Sequence, residues 1–170
     1  KIFLEICDLN NGNLISVDIV DCSQVSNNSR WEFIKASDDE FDIINPKINK
    51  PLDLLFIDSL HEPNHVKKVF FNYYKFLKVG GICIIDDISW LPYVVARKKE
   101  NSYVARTNYN TFNKILEIYN SNVEHLSLEF FFEGSGYCII TKKKDSNLSN
   151  EKKISFQKLN FKNLVKKFYL

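Results

Sequence analysis

The stretch from Pro51 to Asp87, PLDLLFIDSLHEPNHVKKVFFNYYKFLKVGGICIIDD, decides the fold class. It opens on one apolar run, Leu52–Ile57, and closes on another, Ile82–Ile85. Both runs are nearly continuous rather than alternating, the pattern of parallel strands covered on both faces. Between them Val66, Val69, Phe70, Tyr73 and Leu77 recur at i, i+3, i+4, i+7 and i+11, which is one face of a helix. Lys75 and Lys78 sit near its carboxyl end, and Gly80-Gly81 is predicted to stop it. Strand, helix and strand over about 30 residues make a βαβ unit.

The same grammar extends outward. Upstream, Leu14–Val17 and Phe33–Ile34 with their neighbours read as two more buried strands. Ser37-Asp38-Asp39-Glu40 matches the S-x-x-E capping box and predicts a short helix start. Downstream, 88–109 has no clear period and is rich in aromatic and basic residues. An amphipathic helix follows, with Phe112, Ile115, Leu116 and Tyr119 on one face. Leu126–Phe132 and Tyr137–Thr141 flank Glu133-Gly134-Ser135-Gly136 and predict a β-hairpin. Alternating β and α elements before a hairpin imply a doubly wound, Rossmann-like, mostly parallel α/β sheet. The domain is expected over residues 1–142. Residues 143–170 are expected to be a basic polar tail with a helix-compatible end.

Composition bounds the function. The chain has 170 residues, the size of one domain. Lys+Arg total 23 against Asp+Glu 21, a balance that argues against nucleic-acid binding. No apolar stretch reaches the roughly 18 residues of a membrane span. Cys7, Cys22, Cys83 and Cys138 are scattered with no C-x-x-C pair, so a zinc site is not expected, and reduced thiols imply a cytoplasmic setting. The sequence contains no Met, and its first residues, Lys1–Ile6, already read as an amphipathic run. The expectation is a chain that starts inside its domain.

Three strands end in acid, where doubly wound sheets bind ligands. Asp18 follows the first run. A carboxylate there can accept two hydrogen bonds from a ribose diol, such as S-adenosylmethionine and nicotinamide cofactors carry, or it can simply close a turn. Ser37 and Asp38 follow the second run and suit either an adenine or the capping box. Asp58 ends the third run, and Asp86 and Asp87 end the fourth. Three crowded carboxylates repel one another unless a cation or protons compensate. A hard divalent ion with oxygen ligands, Mg²⁺ above all, meets that need. The alternative is that one acid caps a helix and another points away. His61, three residues after Asp58, can reach a substrate hydroxyl and take its proton. Trp90, Tyr93, Arg97, Tyr103 and Arg106 lie beyond the paired acids, as an acceptor wall or as ordinary packing and a solvated loop. His65 and His125 receive no role.

With these residues in place, the chain resembles class I S-adenosylmethionine-dependent methyltransferases. The likeness is closest to the small-molecule O-methyltransferase group of the methyltransferase-domain-24 type, which includes macrolide sugar O-methyltransferases and CmcI-like proteins of cephalosporin biosynthesis. The strand ending D-x-x-H, the helix, the glycine pair and the strand ending in two acids carry it. The resemblance implies Mg²⁺ on Asp58, Asp86 and Asp87, His61 as base and Asp18 on the cofactor ribose. It also implies that the family's glycine-rich motif and first strand precede Lys1.

The expected reaction is metal-assisted methyl transfer from S-adenosylmethionine to a hydroxyl of a small molecule or sugar, with Asp58 and His61 at the reacting centre. A homo-oligomer is compatible with it. The rivals are a nicotinamide-dependent oxidoreductase, which Asp18 suits equally, a receiver-type phosphoacceptor domain, and a non-catalytic module of the same fold.

Overall fold

A computed structural model of the chain describes residues 2–94 and 99–150. In chain order, helix α1 (Ile2–Asn10) precedes strands β1 (Leu14–Asp18) and β2 (Trp31–Lys35). Helix α2 (Phe41–Ile44) and a 3-10 turn (Asn45–Lys47) lead to β3 (Leu52–Ile57). Helix α3 (Pro63–Tyr74), β4 (Leu77–Ile85), α4 (Leu91–Val94), α5 (Lys99–Asn120), β5 (Leu126–Phe131) and β6 (Tyr137–Lys142) complete it.

The strands form two sheets. β1 and β2 pair in parallel, Leu14 against Trp31 through Asp18 against Lys35. The second sheet has the order β3-β4-β6-β5, with β3 and β4 parallel and the other pairings antiparallel. The mixed α/β architecture with a carboxyl-terminal hairpin therefore holds. Among the described residues one edge of β1 and one edge of β3 have no strand partner. Helix α1 reaches across to the larger sheet, where the Phe3 and Phe56 rings stand 5.9 Å apart.

Register decides which side of the larger sheet is core. Direct cross-strand partners share a face. Ile57 with Ile85, Cys83 with Ile140, and Ile85 with Cys138 all lie on the buried side. Helix α3 covers that side with Val66, Val69, Phe70, Tyr73 and Tyr74, and α5 adds Ile115 and Ile118. Phe56 points the other way and is 44% exposed. The sequence period thus found the right face of α3, and Pro63 at its first position starts it cleanly.

Three local expectations are corrected. Helix α3 stops at Tyr74, and Leu77 begins β4 opposite Leu52, so the glycine pair lies inside a strand. The ladder shifts register between Leu52 and Leu54 there. A Cβ on Gly81 would stand 2.9 Å from the Leu52 carbonyl oxygen, so the glycine admits a close strand approach instead of ending a helix. The segment read as aperiodic contains α4 and the start of α5, a helix of 22 residues. Four residues of it, 95–98, lie outside the described part. The capping box forms by half. Glu40 accepts from the Ser37 backbone N–H at 2.6 Å, but the Ser37 hydroxyl donates to Asp39 at 2.7 Å. Helix α2 consequently starts at Phe41 with Glu40 as its N-cap.

The beginning of the tail is tied down. The Ser149 N–H donates to Asn122 Oδ1 at 2.7 Å, and Asn122 Nδ2 donates back to the Ser149 carbonyl at 3.0 Å. Ser146 Oγ meets His125 Nδ1 at 2.8 Å. Lys142 is 2% exposed, yet its ammonium donates to the Leu77 carbonyl at 2.7 Å and pairs with Asp145 at 2.8 Å. That pairing is the condition under which a charge is tolerated in a core. The expected helical end of the tail falls in 151–170, outside the described residues. Among the described residues no helix is long and apolar enough to cross a membrane.

Burial shapes the alkaline limit of the fold. Cys83 and Cys138 are unpaired thiols with no exposure, as their apolar runs predicted. Burial pushes both thiols up, Cys138 to about 12 from an ordinary value of 9.0. Burial likewise raises the Tyr74 phenol to about 12. The native state keeps protons that the unfolded chain releases. Their contribution is complete below about pH 9 and drains away as pH rises toward 12. The urea midpoint is therefore expected to fall between about pH 9 and pH 12; a flat midpoint over that range would refute the assignment.

Candidate active site

The carboxyl ends of β3 and β4 bring the sharpest residues together. Asp58 directly follows β3 and Asp86 directly follows β4, while Ile57 pairs with Ile85. The acids therefore leave adjacent parallel strands at the same level. His61 stands between the two strand ends. Its Nε2 lies 3.4 Å from Asp58 Oδ1 and its Nδ1 lies 3.3 Å from Asp87 Oδ2. Both contacts are longer than a well-formed hydrogen bond. Nε2 is buried and has no hydrogen-bond partner, and the nearby Ser59 hydroxyl is in the same condition. An orphaned buried nitrogen is costly and is expected where a ligand or reacting proton belongs.

The acid loop is strained and braced. Asp87 has φ +55°, a conformation uncommon outside glycine. Its N–H donates to Asp86 Oδ1 at 2.9 Å, and the Asp86 N–H donates to the Ile57 carbonyl at 3.1 Å. Beyond it, the Ile88 and Ser89 N–H groups donate to the Gly136 and Ser135 carbonyls at 3.1 and 2.7 Å. The hairpin turn thus props the paired-acid loop from below.

The three carboxylates at these strand ends are the oxygen donors that a hard cation takes. Among the described residues, however, no three His, Cys, Asp or Glu side chains converge as they would around a metal ion. Asp86 is turned to the Asp87 amide, and the imidazole separates Asp58 from Asp87.

The other predicted residues lie on the smaller sheet. Asp18 ends β1, is exposed, and accepts the Val20 N–H on Oδ1 at 2.7 Å. The turn role is thus realised at one oxygen. Ser37 and Asp38 follow β2, beside β1. The Asp38 carboxylate meets His65 Nε2 of α3 at 2.9 Å, and its carbonyl accepts the Tyr73 hydroxyl at 2.8 Å. The Ser37 hydroxyl, with Lys68 beside it, holds the Asp39 carboxyl down to about 2. His65, given no role from sequence, is thereby the link between this loop and α3.

Trp90, three residues past Asp87, joins an aromatic group with Tyr109 and Phe112 rings at 5.0 Å and Phe132 at 5.8 Å. Tyr103 is largely exposed and Arg97 falls outside the described residues. Sequence reasoning missed Thr111 and Asn108 of α5. Both are buried, and they donate to the carbonyls of His61 at 2.7 Å and Ser89 at 2.9 Å. Their signal was a polar pair three residues apart next to the apolar stripe of an amphipathic helix.

Against known families, a methyltransferase-domain model matches residues 2–88, half of the chain, and that match includes Asp18, Asp58, His61 and both paired acids. The chain belongs to this methyltransferase-domain family. No curated protein matches it in sequence. Among solved structures, a candidate caffeoyl-CoA O-methyltransferase from Staphylococcus aureus superposes with TM-score 0.63 at 15% identity, over 82% of this chain and 69% of that one. The MycE methyltransferase of mycinamycin biosynthesis, in complex with Mg, SAH and mycinamycin VI, gives 0.57 at 18%, over 79% and 37%. An O-methyltransferase from Bacillus cereus in complex with SAH gives 0.53 at 17%, over 78% and 63%. At such identities these likenesses establish a shared fold. The methyltransferase domain described here spans little more than a third of the MycE chain.

Proposed function

We propose that this methyltransferase domain serves S-adenosylmethionine-dependent methyl transfer to a hydroxyl oxygen of a small molecule, a sugar hydroxyl included, with assistance from Mg²⁺. The observation that carries the reading is the His61 imidazole, held between Asp58 and Asp87 with its Nε2 buried and without a hydrogen bond at the carboxyl ends of two parallel strands. The neighbours that bind SAH, and Mg in the case of MycE, support the choice of cofactors.

When bound, S-adenosylmethionine supplies a methyl group on a sulfonium, and a divalent cation lowers the pKa of the acceptor hydroxyl. Asp58, Asp86 and Asp87 would hold the cation only with Asp86 released from the Asp87 amide and the His61 ring moved from between Asp58 and Asp87, and Asp18 would accept hydrogen bonds from the cofactor ribose with its free oxygen. Ser37 and Asp38, which follow β2 beside β1, would face the adenine. With the cofactor bound, transfer would join the acceptor oxygen to the methyl carbon as the carbon–sulfur bond breaks, and His61 Nε2 would take the hydroxyl proton. Asp58 and Asp87, 3.4 and 3.3 Å from the two ring nitrogens, orient the imidazole. Little covalent work falls to the protein, so alignment dominates the rate.

Calorimetric titration tests the cofactor. Saturable binding of S-adenosylmethionine with none of NADH is expected; the reverse preference would favour an oxidoreductase and sink this reading. EDTA is expected to remove methyl transfer and Mg²⁺ to restore it, so full activity in EDTA would refute the metal.

A further inference from the structure

Two loops must agree for this site to work, one carrying Asp58 and His61, the other carrying Asp86 and Asp87. They leave different strands, and a single helix touches both. Thr111 on α5 donates its hydroxyl to the His61 carbonyl at 2.7 Å. Asn108, three residues earlier and so on the same face, donates its side-chain amide to the Ser89 carbonyl at 2.9 Å. Thr111 is 0% exposed and Asn108 3%. Both hydrogen bonds end on backbone carbonyls, not on the imidazole or the carboxylates. Both act on backbone, and both act at loop positions within three residues of the acids.

We propose that Asn108 and Thr111 are positioning residues that clamp the base loop and the paired-acid loop onto one rigid helix, setting the separation of His61 from Asp87. The inference rests on the proposed function for its catalytic meaning. Its physical basis stands apart from it. A buried carbonyl that loses its donor costs free energy, and the loop moves to recover a partner. With the imidazole only 3.3 Å from Asp87 Oδ2, a loop displacement on the order of 1 Å is enough to misalign the proton acceptor. Helix α5 is itself fixed to the sheet by Ile115 and Ile118, both nearly without exposure, so it supplies a stable reference for both loops. Trp90 packs on Phe112 next to Thr111 and keeps the two loops under the same helix face.

The test uses the full chain and four variants: Thr111→Val, Thr111→Ser, His61→Ala, and the double variant of Thr111→Val with His61→Ala. The first readout is amide hydrogen exchange. Thr111→Val should speed exchange about tenfold or more at Val66, whose N–H donates to the Glu62 carbonyl at the end of the base loop, with the β4 and β6 core amides unchanged and Thr111→Ser close to wild type. The second readout is kinetic. Thr111→Val should lower kcat roughly 10- to 100-fold with the KM for S-adenosylmethionine unchanged, and Thr111→Ser should restore it. In the His61→Ala background Thr111→Val should add no further loss, since it acts through that residue. Uniformly faster exchange throughout the domain, or a fully additive kinetic loss, would overturn the clamp. A wild-type chain without methyl transfer would instead sink the functional reading, and the exchange pattern would still decide the clamp.

Discussion

Replacing His61 by alanine is expected to lower kcat by about 10²- to 10⁴-fold, the usual worth of a positioned proton acceptor. The loss should fall on turnover and spare cofactor affinity, because Asp18, Ser37 and Asp38 lie on the other sheet. His61→Gln is the stricter variant. It keeps a polar side chain between Asp58 and Asp87 but has no basic nitrogen, so it should be nearly as slow as alanine. Steady-state kinetics with S-adenosylmethionine held saturating would measure both. Wild-type turnover in either variant would remove His61 from the chemistry. Folding is not expected to limit the experiment. The imidazole makes only long contacts, and its Nε2 has no hydrogen bond to lose.

The largest stability effect is expected at Gly136. Its φ is +71°, and a Cβ there would lie 2.5 Å from Ser89 Cβ and 3.0 Å from the Ser89 nitrogen. Both atoms belong to the loop that follows the paired acids, so the added methyl group strains its own backbone and displaces Ser89. Gly136→Ala is expected to cost about 2–4 kcal/mol, combining an unfavourable backbone region with overpacking. For a domain of this size that is a fall in Tm of roughly 5–15 °C. A thermal melt within a degree or two of wild type would refute the close approach. The same substitution should slow turnover in the surviving folded protein, because the Gly136 carbonyl also receives the Ile88 N–H.

Much of this was legible in the sequence, for identifiable reasons. The strands from Leu14, Leu52 and Tyr137 were found because their Leu, Ile and Val content marks packed extended backbone even with Ser16 and Asp53 inside them. The inner face of α3 was found because its period is uninterrupted from Val66 to Tyr73. Leu77 was misassigned because it continued that period by coincidence while belonging to β4. The glycines at 80 and 81 carry the ordinary helix-stop signature, and only the opposing Leu52 carbonyl reveals their other use. Helix α5 was read short because its first half presents little apolar surface; Tyr103 and Tyr109 there are exposed. At the site, the acids and His61 were legible because strand ends are chemically marked. Their mutual arrangement was not, since one-dimensional spacing does not tell that an imidazole stands between two carboxylates. Asn108 and Thr111 act through backbone carbonyls, which leave no mark on the residues that own them.

The aromatic group around Trp90 gives the protein a built-in optical probe. The chain has two tryptophans. Trp31 sits on β2 of the smaller sheet, its indole N–H donating to Ser16 Oγ at 2.7 Å. Trp90 lies three residues past Asp87, against rings contributed by α5 and by the hairpin. A Trp31→Phe chain would leave one indole whose emission reports on the acid loop alone. Occupancy at the strand ends then becomes a change in colour and intensity, read without a label and without turnover.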